Sequence, residues 1–535
     1  MAFHLAHAGD KLYKIAADGT AVELGLPAGV TLSTTRRARF ALLNRNVIMV
    51  HAPSRNLQID PNLVVRILTP SAPAAAPAVV GGGAGTLFGT YRYRVSFAIM
   101  SGTKVIAESG LSPTSEAVVL ADEGASLSAI PVSTDPGITH RRIYRTAANG
   151  EEFFYLTKIN DNTTTTLADN ATDEEISLFP YEDDLGGEVP GSSDAVWFEQ
   201  AVAWKDRLWA NANEYPDRVH FSGNRRPFAW GEANYVIAQP EGMDVEGVTG
   251  YAPRRDELGI GKRRSLWKVI GSDPQTFQMI QVAAGVGIWA PESVVVIRDE
   301  AYFLAEDGVY KWGPGGLMNL SRDKVHPWFA TDDVFNRAML SYAFAVWNQR
   351  TDCYQLHLAA AGSTDIDRWV TLDLKQLQAG NLVWLGPHKT AAFTPTCGAV
   401  LEDDDGLVAP YLGSSVGGLY KQNSATYSDD GSAIDFDVTG KFHSQDAPDR
   451  THYWGELSVH SRIESAGTLV ITPKVGRLDA AAGNPINHDL TKGRQRLRRL
   501  GVGPMVQLRF QNDENNQGVE LYAYEIDPVN ELGRR

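Results

Sequence analysis

The sequence predicts an all-β protein: an irregular β-propeller, an inserted β-sandwich and a C-terminal β-sheet domain. Three observations carry this. Short runs of β-branched and aromatic residues recur between Gly, Asp, Asn and Pro, as in Val294-Val295-Val296-Ile297, Ala301-Tyr302-Phe303-Leu304 and Trp369-Val370-Thr371-Leu372. Such runs read as strands punctuated by turns. Helical periodicity is nearly absent, with a helix expected over residues 332–339 and a short turn near 374–379. Glycine is abundant, 50 of 535 residues, as a turn-rich chain requires.

Taken in order, residues 1–68 hold the first propeller blade or blades. A local pattern opens there with Asp10-Lys11-Leu12-Tyr13-Lys14 and a turn at Asp18-Gly19. It returns at Asp206-Arg207-Leu208-Trp209, at Ala301-Tyr302-Phe303-Leu304 before Val309-Tyr310-Lys311-Trp312, and at Tyr411-Leu412-Gly413 before Leu419-Tyr420-Lys421. Each is a strand with an aromatic, a turn, and a second strand, which suits radially repeated hairpins. Because the spacing is irregular and no strict signature recurs, unrelated hairpins in sandwiches remain the alternative. Residues 69–88, rich in Pro, Ala and then Gly (Gly81 to Gly85), read as a linker rather than a phosphate loop, because no Gly-Lys-Ser/Thr ending follows.

Residues 89–185 form a fibronectin/Ig-like β-sandwich. Tyr91, Tyr93, Val95 and Phe97 alternate onto one face of an expected strand, and residues 141–146 and 153–159 form a hairpin about Ala148-Asn149-Gly150. The acidic, Gly-rich residues 181–191 mark the exit. Residues 192–430 carry the remaining blades, and residues 431–535, with longer strands, a C-terminal β-rich domain.

A length of 535 residues exceeds one ordinary domain and permits sizeable cores. The net charge of −15 argues against a free nucleic-acid-binding module but not against a passage lined by acidic groups, which repels phosphates. Two cysteines, Cys353 and Cys397, are expected as buried thiols, which suits folding in a reducing cytoplasm. The N-terminus shows no signal-peptide pattern, and no apolar run is long enough to span a membrane.

No catalytic, metal or cofactor-binding residue is assigned. The acidic loop Glu402, Asp403, Asp404 and Asp405 lacks EF-hand spacing and is read as a turn near a channel or tip. No zinc pattern accompanies the histidines, no Gly-x-Ser-x-Gly elbow appears, and nothing singles out a carboxylate pair for glycoside hydrolysis. The basic clusters are better candidates. Arg494, Arg496 and Arg498 alternate along one strand face, with Lys492 in phase and Arg499 opposite, and Arg36, Arg37 and Arg39 form a second cluster. Both are expected as subunit or partner contacts. Arg254, Arg255, Lys262, Arg263 and Arg264 form a third.

The order of the pieces carries a resemblance. Propeller-like sequence is interrupted by a block holding Tyr91-Arg92-Tyr93-Arg94-Val95, Glu108-Ser109-Gly110-Leu111-Ser112-Pro113 and Arg142-Ile143-Tyr144-Arg145-Thr146, and resumes at Trp204-Lys205-Asp206-Arg207-Leu208-Trp209. This resembles the tail nozzle proteins of short-tailed bacteriophages, also called tail tubular protein B or packaged-DNA stabilisation proteins. By architecture it covers most of the chain, sharply residues 85–230, and it departs at the C-terminus. The resemblance implies a non-enzymatic virion tail component, assembled in the host bacterial cytoplasm as a homohexameric ring. Its channel would retain and conduct double-stranded DNA without sequence-specific binding. Portal-side adaptor proteins and tail fibres or spikes would be its partners. The rival is a glycan-binding or glycoside-hydrolysing propeller with accessory sandwiches. A concave pocket with two carboxylates and exposed Trp would favour it.

Overall fold

Short apolar strands joined by tight turns cannot each bury a face alone, so they pair locally. In the computed structural model of the chain they form small antiparallel sheets of two to four strands. The structure describes residues 4–16, 19–51, 54–176, 198–212, 215–231, 234–239, 247–390, 392–403, 406–422, 426–445, 450–515 and 517–531. The chain forms two compact units. The first comprises Met1–Ile366, Val370–Leu385 and Gly398–Pro410, and the second Asp367–Trp369, Gly386–Cys397 and Tyr411–Arg535.

In the first unit, successive sheets begin with His4–Ala8, Arg39–Leu43, Phe198–Trp204, Gly250–Pro253, Val295–Ile297 and Phe344–Asn348, each pairing its strands in sequence order. From Arg39–Leu43 to Phe344–Asn348, each of these opening strands lies beside the next. The series extends at both ends. The rings of His7 and His51 meet edge-on at 4.4 Å, joining the first sheet to the second. A Cβ on Gly398, within the further strand Pro395–Glu402, would fall 2.6 Å from Val346, and the His4 ring nitrogen lies 2.8 Å from the Glu402 carbonyl. This is the radial order of a β-propeller.

The turns between first and second strands explain why the repeat reads irregularly. Asn44-Arg45, Lys205-Asp206 and Arg298-Asp299 all have positive φ at both residues, between 48° and 66°. That is the two-residue turn whose twist matches the hairpin, and it usually carries Asn-Gly. Here the strands on either side impose it on Arg, Lys and Asp. Tryptophans fill the interior: Trp204 and Trp209 meet at 5.5 Å, and Trp209 packs 5.1 Å from Phe221 and 4.9 Å from Phe277.

Two sheets precede the inserted sandwich. Its layers are Ala78–Tyr91 with Val118–Ser128 and Leu167–Asp169, and Lys104–Glu108, Tyr93–Ser101, His140–Thr146 and Phe153–Ile159. Tyr91, Tyr93, Val95 and Phe97 are all buried as expected, but not on one strand. The chain changes layer at Arg92, where Arg92 N–H donates to Thr146 Oγ1 at 3.1 Å. The expected linker is also corrected in part. Gly81 to Gly85 lie within the 14-residue strand Ala78–Tyr91. Its partner bulges between Ala121 and Ala125, so the backbones come close. A Cβ on Gly85 would sit 2.2 Å from the Gly124 nitrogen. At Gly85 the glycine is there for close backbone contact.

The motifs quoted for the resemblance are structural. The hydroxyls of Ser109, Ser112 and Ser115 accept from the backbone N–H of Phe97, Val95 and Tyr93 at 2.9, 3.0 and 2.9 Å. A serine at every third position of an extended segment thus satisfies a strand edge that would otherwise be buried unpaired. Buried Glu108 accepts from Ser96 at 2.6 Å, from Tyr144 at 2.7 Å and from Arg142.

The helix expected over 332–339 is a 3-10 turn, Arg337–Tyr342, preceded by the short helix His326–Ala330. Phe335, fully buried, is held instead in a β-bridge to Ala360. The turn near 374–379 is the helix Leu374–Gln378, capped by Asp373. Cys353 is buried and free, whereas Cys397, expected buried, is exposed and free.

In the second unit, His452–Ser461 pairs with Arg494–Gly503 and Leu521–Glu531, and Thr468–Gly476 pairs with Ile486–Asp489 and Met505–Asn512. Trp454, Leu457, Leu469, Ile471, Leu508 and Phe510 fill the core. This is the C-terminal β domain, and the boundary expected at 430/431 falls inside the unit.

Candidate functional site

Five successive sheets line one pocket of about 340 Å³ in the first unit, through the starts of their opening strands, the loops leading into them and, for Arg263, a turn further along its sheet. Thr35, Arg36, Arg37 and Arg39 come from the second sheet, Glu199 and Gln200 from the third, and Val248, Thr249 and Arg263 from the fourth. Trp289, Pro291 and Glu292 precede the fifth, and Ser341 and Tyr342 the sixth.

Arg39 organises the wall. Its Nε donates to Glu292 Oε1 at 2.6 Å and its Nη1 to the Glu199 carbonyl at 2.7 Å. The side chain is about three-quarters covered, so this pair is worth more than an exposed one. Arg36 stands 3.8 Å from Glu199 Oε1 and remains 63% exposed. Arg37 Nη1 donates to the Tyr342 carbonyl at 3.3 Å, with its guanidinium 6.0 Å from the Phe344 ring. The Arg263 guanidinium lies 5.1 Å over Trp289, a cation–π contact that orients it without using its N–H donors.

Of the residues singled out from sequence, Arg36, Arg37 and Arg39 thus come together with partners from three other sheets. The Arg254 to Arg264 cluster disperses. Arg254 is buried against Glu257 at 2.6 Å, Lys262 against Asp217 at 2.6 Å, and Arg264 pairs with Glu306 at 3.3 Å, leaving Arg263 alone at the pocket. In the second unit Arg494, Arg496 and Arg498 do share an exposed face of Arg494–Gly503, with Leu497 turned inward. Arg494 lies 3.8 Å from Glu525, Lys492 is 3.5 Å from Asp489, and Arg498 donates to the Asn484 carbonyl. Glu402 ends a strand, and Asp403 closes a turn by accepting from Leu407 N–H at 2.8 Å. Asp404, Asp405 and the exit at 181–191 lie outside the described residues.

Sequence reasoning missed Glu199, Trp289 and Glu292. The available signal was positional, since each stands at or just before the opening strand of a sheet. Among the described residues, no cluster of three His, Cys, Asp or Glu could hold a metal ion, and no helix is long and apolar enough to cross a membrane.

No protein-family model and no curated protein matches this chain. Solved structures offer distant likenesses. PorZ, a surface component of the type-IX secretion system of Porphyromonas gingivalis, is 12% identical at a TM-score of 0.31, covering 79% of this chain and 60% of its own. An exo-β-1,3-galactanase from Phanerochaete chrysosporium is 7% identical at 0.20, covering 99% and 100%. The extracellular domain of BT4673 from B. thetaiotaomicron is 9% identical at 0.25, covering 100% and 79%. The chain spans only three-fifths of PorZ, and at these TM-scores no function carries across.

Proposed function

We propose that the chain is a ring-building structural protein of the tail-nozzle type, without catalytic groups. One observation supports this reading above others: the order of modules, with two propeller sheets, an inserted sandwich, further propeller sheets and a C-terminal β domain in one chain. It is the order on which the sequence resemblance rests. Rigid antiparallel modules held by buried polar networks suit a wall, where shape and repeated copies do the work. A cyclic interface closes a ring when its rotation allows. The test is light scattering and electron microscopy of the purified chain, alone and with portal-side adaptor proteins. A closed ring with an axial channel is expected, and a monomer in every context refutes the reading.

A second reading, a glycan-binding propeller, is favoured by the pocket, which joins two carboxylates, neutral hydrogen-bonding groups and aromatic rings. Arg39 binds Glu292 and the backbone of Glu199, and Arg36 stands beside the Glu199 carboxylate. Carboxylates engaged in this way suit holding a ligand better than cycling a proton, so binding is preferred to hydrolysis. A glycan array probed with the full chain tests it, and a blank array refutes it.

A further inference from the structure

The pocket's charge account does not balance. Four arginines and two glutamates line it, which leaves a formal +2 in a chain whose net charge is −15. Donor accounting locates the excess. Arg39 is committed to Glu292 and to the Glu199 carbonyl. Arg263 is exposed and makes no ion pair among the described residues, its guanidinium fixed over Trp289. Arg36 has only a 3.8 Å ion pair and is 63% exposed. Arg37, half-buried, spends a donor on the Tyr342 carbonyl at 3.3 Å. Of the four, Arg36 and Arg263 are the exposed ones, with most of their N–H donors unspent, and Arg263 is pre-oriented by an aromatic ring. Planar guanidinium donors match a carboxylate in bidentate fashion.

Around them stand Thr35 and Ser341, neutral groups suited to hydroxyls, the exposed ring of Tyr342, and Gln200 and Thr249, whose Nε2 and Oγ1 already donate to backbone carbonyls and whose side-chain oxygens can still accept. A volume of about 340 Å³ lies at the small end of ligand pockets. We propose that this pocket binds a carboxylate-bearing sugar residue of an acidic oligosaccharide. The carboxylate would sit between Arg36 and Arg263, and the ring hydroxyls would meet the neutral side chains. The proposal rests on the glycan-binding reading and adds the ligand's charge class.

The experiment is isothermal titration of the full chain. Its probes are a panel of uronate- and sialate-containing oligosaccharides, neutral oligosaccharides of equal length, sodium acetate and inorganic phosphate. At least one acidic oligosaccharide is expected to bind, and its affinity should fall as salt rises. It should bind at least tenfold tighter than its neutral counterpart. Arg263→Gln and Arg36→Gln, both at exposed positions, should each weaken it about tenfold, the size of a lost charged hydrogen bond. Neutral sugars binding as tightly as acidic ones overturns the inference and leaves the glycan reading standing. Acetate or phosphate binding as tightly as the acidic oligosaccharide reduces the pocket to a generic anion site and also overturns it. No binding across the whole panel overturns both.

Discussion

Replacing Arg145 by alanine tests whether the inserted sandwich is held by its buried charges. The Arg145 side chain is fully buried, and that of Asp169 is 1% exposed. Arg145 Nη1 donates to Asp169 Oδ2 and to the Ala171 carbonyl, both at 2.7 Å, and Nη2 reaches Asp173 at 2.9 Å. Its guanidinium also stacks 5.0 Å from the Tyr91 ring. Without it, Asp169 keeps only the Tyr93 hydroxyl at 2.8 Å and the Ala171 N–H at 3.0 Å. An uncompensated buried charge of this kind costs about 4 kcal/mol. Hydrogen exchange by mass spectrometry isolates the effect within the full chain. Peptides from Tyr93–Ser101 and His140–Thr146 should exchange about a thousandfold faster, since each ~1.4 kcal/mol is a factor of ten. Peptides from the C-terminal domain should not change. Arg145→Met combined with Asp169→Leu should recover most of the loss, because removing both charges leaves none stranded. Exchange within about fivefold of the parent in Arg145→Ala, a loss near 1 kcal/mol, would refute the reasoning.

Three further outcomes follow from the same structure. His220 is fully buried between Tyr215 and Tyr235, and burial, helped by Arg218, depresses it to about 4. The unfolded chain therefore binds a proton first as pH falls, and its contribution, up to about 3 kcal/mol, is intact above pH 6.5 and lost progressively down to about pH 4; urea titrations should show that slope, and His220→Phe should flatten it. Gly85→Val drives a Cβ into the Gly124 backbone and should lower sandwich stability by about 2 kcal/mol or more in calorimetry. Ser112→Ala strands the buried Val95 N–H and should cost about 1–3 kcal/mol, measured by exchange at that amide.

Much of the fold is legible because alternation is a local signal. Tyr91, Tyr93, Val95 and Phe97 belong inside, and the run from Arg494 to Arg498 has one exposed basic face. What misled were residues whose role is set by a partner. Residues 81–85 have the composition of a linker, yet they lie in a strand whose bulged neighbour leaves no room for a side chain at Gly85. Residues 332–339 carry a helical pattern, yet Phe335 gains more by burial in a β-bridge. The candidate site was half visible. Arg36, Arg37 and Arg39 stand together in the chain, but their counterparts lie about 160 to 300 residues further on.

The sequence by itself determined that this chain is built from short antiparallel strands, that a sandwich interrupts the propeller sheets, and which residues are apolar enough to fill the cores. These follow from period-two patterning and turn chemistry, which act over a few residues. Only the tertiary structure decided which charges become partners. Arg254, Lys262 and Arg263 are near neighbours in sequence, yet two are neutralised in the interior and one is left facing a pocket. Coulomb and hydrogen-bond energies depend on distance and burial, and the packing of strands and sheets sets both.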